Sequence, residues 1–360
     1  MKVMCMYLPQ YHTFPENDEW WGKGYTEWTA VKRARSLFKG HIQPRVPLDN
    51  RYYDLVKEGA GTLKWQAEVA HKYGIYGFSI YQYWFRGRQL METPMEILLK
   101  HPEIDINYCI CWANESFTRT WYGLSEQILM LQDYGDEADW RKHFDYLLKF
   151  FKDERYIKID NKPVLQIYRS YDINCLEEML GCFRRWAGEE GFDGLYVISG
   201  KTAAQQESRK ELIDGYYYFE PGYTLKHDFS RKNEIVYNMS VLWNSLLNRF
   251  RKKKVLERSI NAQSILKGIG NREYGENEFP GIMPDWDNTP RRDYKGLVYK
   301  NTSPKNFEDT LRILKKKKAG HKTDFVFVNA WNEWGEGAML EPDEYRGYGY
   351  LEAVKHVLDD

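Results

Sequence analysis

The sequence lacks long apolar runs, net charge and a leader segment. No stretch approaches the roughly 18 consecutive apolar residues of a membrane-spanning helix, and the mean hydropathy is −0.70. The 52 Lys and Arg residues balance 52 Asp and Glu residues, which argues against a dedicated nucleic-acid binder. The N-terminus enters an apolar strand pattern directly, so we expect no signal peptide. These absences predict a soluble protein with no integral membrane segment and no nucleic-acid partner.

Cysteine is scarce and is not spaced for metal binding. The chain has five cysteines, an odd number. We expect Cys109 and Cys111 on opposite faces of one strand, and no second pair stands at the spacing of zinc ligands. Reduced thiols, a cytoplasmic location and the absence of a resident metal or cofactor are therefore predicted.

Aromatic residues, in contrast, are abundant. The 360 residues include 13 Trp, 28 Tyr and 17 Phe, which make up 16% of the chain. Only 42% of the residues are apolar, so the chain has more aromatic rings than we expect an ordinary hydrophobic core to contain. Some of the rings are expected to line a functional site.

Short apolar runs alternate with segments of helical periodicity, which indicates parallel βαβ units. The predicted strands are 3–7, 75–81, 108–112, 164–168, 195–199, 216–219, 282–283 and 325–329. The clearest predicted helices are 63–73, 139–151, 176–190, 307–317 and 350–358. Eight units correspond to an α/β fold of the (β/α)8 TIM barrel type. A doubly wound sheet is the competing interpretation, but no glycine-rich phosphate turn opens any of the helices.

The length predicts one barrel domain spanning residues 1–360 with two insertions. A typical barrel needs about 250 residues, so we expect long connections at about 9–58 and 220–280. Two basic runs, 249–254 and 315–318, are interpreted as solvated helix faces. A small hairpin is predicted from residues 157–167, ahead of and including the fourth strand.

Polar and aromatic residues follow nearly every predicted strand, where a TIM barrel carries its active site. Sugars stack their C–H faces on aromatic rings and pair their hydroxyls with amides and carboxylates. Phosphate sites would instead use glycine-rich backbone or Arg/Lys clusters. An oligosaccharide or polysaccharide is therefore the expected partner, unless the rings only cap the barrel. The candidate substrate-binding residues are Gln10, His12, Trp20, Trp21, Glu27, Trp28, Tyr81, Tyr83, Trp84, Trp112, Asn114, Glu115, Tyr168, Glu220, Trp286, Asp287, Arg291, Asn329, Trp331 and Asn332.

Two carboxylates just past the last strand are the candidate catalytic residues. Glu333 and Glu336 are three residues apart, so a helical turn would place them on one face. Beside Trp331 and Trp334 the two groups cannot both ionise freely, and we expect a raised pKa for one of them. An acid and a base in proximity are what glycosidic bond cleavage requires. A Glu-x-x-Glu pair alone is also common on surface helices.

Two further motifs have alternative interpretations. Asp285-Trp286-Asp287 has the Asp-x-Asp form with which nucleotide-sugar transferases hold a divalent metal, but no nucleotide-binding fold accompanies it. Residues 17–28 form a segment rich in Trp and Gly, interpreted either as a packed loop or as a sugar-stacking lid. We favour the lid, because three tryptophans on one polar loop are difficult to bury.

Several of these motifs resemble the WbsX-like family. Proteins of that family occur in bacterial capsule and O-antigen gene clusters and are often labelled glycosyltransferases. The resemblance covers almost the whole chain, and its motifs are long enough to be specific. They are residues 7–12, 16–22, 26–28, 40–44, 81–85, 111–115, 286–291 and 329–341.

The WbsX-like family in turn is similar to the endo-α-1,2-mannosidase/mannanase family GH99, whose members are metal-independent (β/α)8 barrels. Their catalytic pair lies in an Asn-Glu-Trp-x-Glu-Gly motif, which matches Glu333 and Glu336 here. The resemblance implies that Glu333 acts as base on a substrate 2-hydroxyl, giving an anhydro-sugar intermediate and retention. It implies that Glu336 is first the general acid and then the base for water. The mannosidases usually carry His at the position of Gly335, so mannose specificity is not implied.

Together these features predict a retaining glycoside hydrolase or transglycosylase acting on bacterial O-antigen or capsule-type glycans. One alternative is a glycosyltransferase of polysaccharide biosynthesis that uses a sugar nucleotide. A second alternative is a glycan-binding barrel without catalysis.

Overall fold

The centre of the molecule is a closed parallel barrel. The computed structural model describes residues 1–119, 127–204 and 206–360. Within them, parallel pairing connects eight strands in sequence order and returns from the last to the first. The (β/α)8 fold predicted from the alternating pattern is confirmed. The strands are β1 (Lys2–Tyr7), β2 (Ile75–Phe85), β3 (Asn107–Trp112), β4 (Lys162–Ile167), β5 (Tyr196–Lys201), β6 (Gly215–Tyr218), β7 (Glu278–Phe279 and Gly281–Ile282) and β8 (Phe325–Val328).

Strand β7 closes the barrel in two halves. Glu278–Phe279 pairs with β6, and Gly281–Ile282 pairs with β8. Pro280, which has no N–H to donate, separates the halves, and its carbonyl accepts a 2.8 Å hydrogen bond from the Phe327 backbone. A Cβ at residue 281 would overlap the backbone oxygen of Tyr218, so glycine is needed where the strand crosses. The seventh strand therefore begins four residues earlier than predicted.

The helices pack around the barrel or fill its long connections. The predicted helices agree with α3, α5, α6, α11 and α12 within a few residues at each end. Caps define two of these boundaries: Asp136 accepts from the backbone at the start of α5, and Ser303 caps α11. The helices are α1 (Pro15–Trp21), α2 (Glu27–Arg33), α3 (Ala60–Lys72), α4 (Thr93–Lys100), α5 (Glu137–Phe151), α6 (Leu176–Glu189), α7 (Gly222–His227), α8 (Arg231–Phe250), α9 (Ala262–Asn271), α10 (Thr289–Arg292), α11 (Pro304–Lys318) and α12 (Gly349–Asp359).

The connections that follow β1 and β6 are long, and both contain helices. The connection after β1 holds α1 and α2, and the one between β6 and β7 holds α7, α8 and α9. The segment 17–28 is thus mainly the end of α1 and the start of α2, rather than a loop. The predicted hairpin is confirmed, since Lys158–Ile159 pairs antiparallel with the start of β4. In the part of the chain that the structure describes, no helix has the length and apolar character needed to cross a bilayer.

The cysteine prediction needs one correction. Cys109 and Cys111 lie on the same face of β3, because residues two apart on a strand point the same way. Inside the barrel the Cys109 thiol contacts Gln166 and the Cys111 thiol contacts the Tyr217 hydroxyl. Burial raises the pKa of both thiols, so they are weak nucleophiles.

Candidate active site

A cavity of about 390 Å³ opens at the carboxyl end of the barrel strands, the functional end of this fold. Its wall combines aromatic rings and amides with the adjacent arginines Arg291 and Arg292 and the predicted carboxylate pair. The lining residues are Leu8, Gln10, Tyr81, Tyr83, Ala113, Glu115, Tyr168, Phe219, Arg258, Trp286, Asn288, Arg291, Arg292, Lys295, Leu297, Glu333 and Glu336.

A hairpin after β8 presents the two candidate catalytic carboxylates. Asn332–Glu333 pairs antiparallel with Ala338–Met339, and the 3-10 turn Trp334–Glu336 connects them. Such a turn has three residues per revolution, so side chains at i and i+3 eclipse each other. The sequence predicted a shared face from an ordinary helical turn, and the structure produces it with a tighter one.

Arg291 connects three carboxylates, of which two are buried and one is partly exposed. Its Nη2 donates to Glu333 and its Nη1 donates to Glu336, both at 2.9 Å, while Nε donates to Glu27 at 3.1 Å. The Glu27 side chain is fully buried, whereas that of Glu336 is 22% exposed. Helix α10 supplies the arginine and α2 supplies Glu27, so one guanidinium joins two connections to the β8 hairpin.

The electrostatic balance keeps a proton in this cluster near neutral pH. Burial raises the pKa of Glu333 to about 8; Arg291 opposes this rise, and the carboxylates of Glu336 and Glu27 reinforce it. Burial also raises the pKa of Glu336. Carboxyls this close titrate as a pair, so the site can hold one acid and one base together.

A further carboxylate, Glu115, faces the cavity from the segment that follows β3. It forms an ion pair with Arg169, with an N–O distance of 2.9 Å. Burial raises the pKa of Glu115, with Arg169 opposing and the negative charges of Asp172 and Glu336 adding to the rise. Carboxylates therefore approach the cavity from both the β3 and the β8 sides.

Glycine at position 335 makes room for the Arg291 cluster. A Cβ there would lie 2.6 Å from Arg291 Nε and would overlap a carboxylate oxygen of Glu27. The position where the GH99 motif usually carries His thus has no space here for any side chain. The Glu27–Arg291 ion pair occupies the space that a side chain at residue 335 would need.

Glu341 is a buried carboxylate that the site prediction missed. It accepts hydrogen bonds from the indole N–H groups of Trp331 and Trp334 at 2.9 and 2.7 Å, from Gln66 at 2.6 Å, and from the Tyr53 hydroxyl. Burial raises its pKa to about 7, against the effect of these donors. Glu341 thereby fixes the two rings on either side of Asn332 and Glu333.

Asn332 joins the hairpin to the end of β1. Its side-chain amide donates to the Leu8 carbonyl at 2.9 Å and accepts from the Leu8 N–H at 2.8 Å. The Tyr11 hydroxyl donates to the Asn332 carbonyl and accepts from the Trp334 N–H. These contacts hold the backbone around Glu333 in place.

Four of the predicted sugar-stacking tryptophans lie behind the cavity wall. Trp84 stacks on His143 with ring centroids 4.5 Å apart, and Trp112 meets the same imidazole edge-on. Trp331 is completely buried, and Trp28 packs on Trp334. Direct sugar contact does not fit these rings in this structure, because helices and the barrel cover them.

Several predicted polar residues also point away from the cavity and bind protein groups. The Asn114 side chain donates to the Arg169 carbonyl and accepts from the Arg169 N–H. The Asn329 side chain donates to the Glu220 carbonyl. The Glu220 side chain binds Arg272 and Thr224. Glu27 and Asn332 likewise bind protein groups, and a role of these residues in substrate binding stays a prediction.

Residues of the Trp-rich segment flank the cavity without lining it. Trp20 packs against Phe117 at 5.0 Å, and the Arg119 guanidinium lies 5.5 Å from the Trp21 ring. The imidazole of His12 packs near Phe14. The lid interpretation of residues 17–28 stays a prediction.

The Asp-x-Asp carboxylates are engaged by protein donors. Asp285 binds Arg45 and Thr302. Burial alone would raise the pKa of Asp287, but hydrogen bonds from His41, Thr289 and Gln43 lower it. In residues 1–119, 127–204 and 206–360, no three His, Cys, Asp or Glu side chains cluster as a metal site would require.

The cationic part of the cavity wall was not foreseen. Arg258, Arg292 and Lys295 line the cavity beside Arg291. Burial lowers the pKa of Arg292, Glu336 opposes this effect, and Arg258 adds to it. Adjacent arginines at 291 and 292 were a visible signal, but Arg258 belongs to an insertion whose course the sequence does not reveal.

We expect Gly335→Ala to disrupt the Arg291 cluster. The new methyl group would push Glu27 and Arg291 apart, at a cost of about 1–3 kcal/mol in the free energy of unfolding. Gly181→Ala is the matched control, since that helical position has no atom within 4 Å of a new Cβ. Chemical denaturation of both variants measures the effect. Equal unfolding free energies for wild type and Gly335→Ala would contradict the packing described.

We expect Glu341→Gln to lower stability by about 1–3 kcal/mol, because its amide N–H groups would face indole donors. The native carboxyl has a raised pKa of about 7 against about 4.3 unfolded. The wild type therefore loses stability as pH rises through this window, and the deficit of the variant narrows between pH 5 and 8. Denaturation at both pH values checks this, with exposed Glu352→Gln as control. A deficit independent of pH would be inconsistent with the raised pKa.

Solved structures with a similar fold have been found for this chain. The GH99 endo-alpha-mannosidase from Bacteroides thetaiotaomicron has the same fold, with a TM-score of 0.55 and 14% identity over 99% of this chain and 96% of that one. A structure described as a glycoside hydrolase-like protein matches with a TM-score of 0.57 and 13% identity, covering 99% of this chain and 93% of that chain. At these identities the likeness establishes the fold alone.

Sequence comparison gives a nearer relationship. Uncharacterized protein WxcX of Xanthomonas campestris pv. campestris is 31% identical over 365 aligned residues, which cover 99% of this chain. The chain spans about half the length of that relative, 49%. The model of the family described as Glycosyltransferase WbsX matches residues 3–354. The chain therefore belongs to the Glycosyltransferase WbsX family.

Proposed function

We propose that the protein is a retaining glycoside hydrolase or transglycosylase acting on bacterial glycans of the O-antigen or capsule type. The observation that carries the proposal is the Glu333/Glu336 pair, held by one guanidinium in a cavity at the carboxyl end of the barrel. The family and the fold support a glycan-acting enzyme. The pair can supply an acid and a base together, because both carboxyls have raised pKa values.

The proposed reaction follows the roles that the GH99 resemblance implies. Glu333 removes the proton of the substrate 2-hydroxyl as that oxygen attacks the anomeric carbon, and Glu336 protonates the departing glycosidic oxygen. Water then opens the anhydro ring: Glu336 takes a proton from the water, and Glu333 returns its proton to O2. Two displacements at the anomeric carbon give retention. An acceptor hydroxyl in place of water gives transfer.

The proton must lie on Glu336 when the reaction starts. Burial raises the pKa of both Glu333 and Glu336, so either carboxyl can hold the proton. A substrate hydroxyl that donates to Glu333 stabilises its carboxylate, which moves the proton toward Glu336. Arg291 binds both groups and so compensates the negative charge in either arrangement.

The remaining cavity walls suit a sugar with an acidic substituent. The rings of Tyr81, Tyr83, Tyr168 and Trp286 offer apolar surfaces, and Gln10 offers an amide. Arg258, Arg292 and Lys295 add positive charge to the cavity wall. A carboxylate or phosphate group on the glycan would be paired there.

A sugar-nucleotide glycosyltransferase is the second candidate, and the family description favours it. Metal-assisted nucleotide binding would require Asp285 and Asp287 to release Arg45 and His41. Calorimetry with common sugar nucleotides, with and without Mn²⁺, separates the two candidates. Tight binding that depends on Mn²⁺ would favour the transferase.

We expect Glu336→Gln and Glu333→Gln each to reduce kcat by about 10²–10⁴, the contribution of general acid–base catalysis. Purified protein is first screened against acidic capsular and O-antigen oligosaccharides, and turnover is then compared among variants. Glu352→Gln is the control for an exposed Glu. Full activity of the Glu336 variant on the substrate so found would refute the assignment, and binding without turnover in the wild type would indicate a glycan-binding barrel.

We expect kcat/KM to decline as pH rises through about 8. The reaction needs one proton on the pair, and burial raises the pKa of Glu333 to about 8, which favours a protonated carboxyl below that pH. Deprotonation above it leaves no acid for the leaving oxygen. Initial rates from pH 5 to 10 at subsaturating substrate measure the profile. Activity that keeps increasing beyond pH 9 would show that no carboxylic acid is needed.

A further inference from the structure

Helix α8 exposes several large apolar residues, whereas Asn248 is buried and Asn244 is partly buried. Large apolar side chains recur along its solvent face at spacings of three and four residues. Trp243 is 65% exposed and Phe250 is 88% exposed. Ile235, Val236, Met239 and Leu242 are each about 60% exposed or more. A surface helix ordinarily turns such a stripe toward the core, so this face is built for contact with something else.

Hydrogen bonds on the inner side fix this orientation. Asn248 donates to the Val255 carbonyl at 2.8 Å and accepts from the Val255 N–H at 3.0 Å. Asn244 donates to the Glu257 carbonyl at 3.4 Å. Rotation of the helix to bury its apolar stripe would break these bonds and would place the amides in solvent. The exposed stripe is therefore part of the folded arrangement.

Charge identifies the kind of partner. Residues 231–254 contain seven Lys or Arg and one acidic residue, Glu234, a net charge of +6 in a chain whose total is zero. The basic residues flank the apolar stripe, with Arg231 and Lys232 at one end and the run 249–254 at the other. A second copy of the helix would bring a further +6 against the first, which disfavours self-association.

We propose that α8 lies on the surface of an anionic bilayer. Its apolar side chains enter the boundary between headgroups and acyl chains, and its basic ends contact lipid phosphates. A helix with a Trp and Phe on one face and Lys and Arg at its ends is suited to lie in this interface rather than to span the membrane. The proposal concerns a surface outside the catalytic cavity.

The location of α8 links this surface to the cavity. Its inner asparagines hold Val255 and Glu257, and the next residue, Arg258, lines the cavity wall. Binding to a bilayer would thus keep the cavity mouth near the headgroups. This geometry suits a substrate glycan that is attached to a lipid. That statement about the substrate rests on the proposed function.

Vesicle flotation tests the proposal. The full chain is mixed with vesicles of phosphatidylcholine alone, or of phosphatidylcholine with 30% phosphatidylglycerol, at low and high salt. We expect binding only to the anionic vesicles and loss of binding at high salt. Leu242→Gln/Trp243→Gln and Lys252→Glu/Lys253→Glu are each expected to weaken binding at least tenfold. The matched controls Ile313→Gln/Tyr345→Gln and Lys305→Glu/Lys316→Glu, at exposed positions elsewhere, are expected to bind like wild type.

Three results would overturn the proposal. They are no binding to either vesicle, equal loss in the test and control variants, and self-association in sedimentation velocity that Leu242→Gln/Trp243→Gln abolishes. Hydrolysis of a water-soluble glycan should be unchanged in both α8 variants. Failure of the proposed function therefore leaves the flotation result intact, and failure of membrane binding leaves the hydrolysis result intact.

Discussion

The structure of the site depends on one guanidinium that binds three carboxylates, two of them buried and one partly exposed. Removing a carboxylate from water is costly unless a cation and hydrogen bonds compensate, and Arg291 supplies both to Glu27, Glu333 and Glu336. Burial raises the pKa of Glu333, Arg291 opposes the rise, and the carboxylates of Glu336 and Glu27 add to it. The chemistry proposed for the pair depends on that raised pKa.

The same constraint explains local features that otherwise have no common cause. Glycine at 335 leaves space for Arg291 and Glu27 to meet. The 3-10 turn brings Glu336 back over Glu333, and Asn332 and Glu341 hold the two sides of the hairpin to β1 and to the rings beneath. Catalytic groups positioned by packed elements stay within the narrow geometry that chemistry needs.

Sequence reasoning predicted the barrel and the proximity of Glu333 and Glu336 because both depend on local rules. Strand–helix alternation defines the fold, and a parallel barrel collects its strand ends on one side. It could not tell which rings line the cavity, since that depends on distant partners: Trp84 is covered by His143 of α5, and Trp331 is bound by Glu341. Much of the aromatic excess is core after all. The position of Arg258 on the cavity wall could not be predicted for a similar reason. It depends on how the connection between β6 and β7 folds.

The central claim is that Glu333 and Glu336 catalyse a two-step reaction at an anomeric carbon. The most direct test is ¹H NMR of the first product formed from a substrate of known anomeric configuration, recorded before mutarotation. The account predicts that the new reducing end has the same configuration as the bond that was cleaved. A product of inverted configuration would contradict it, because a single displacement by water would then replace the two steps assigned to this pair.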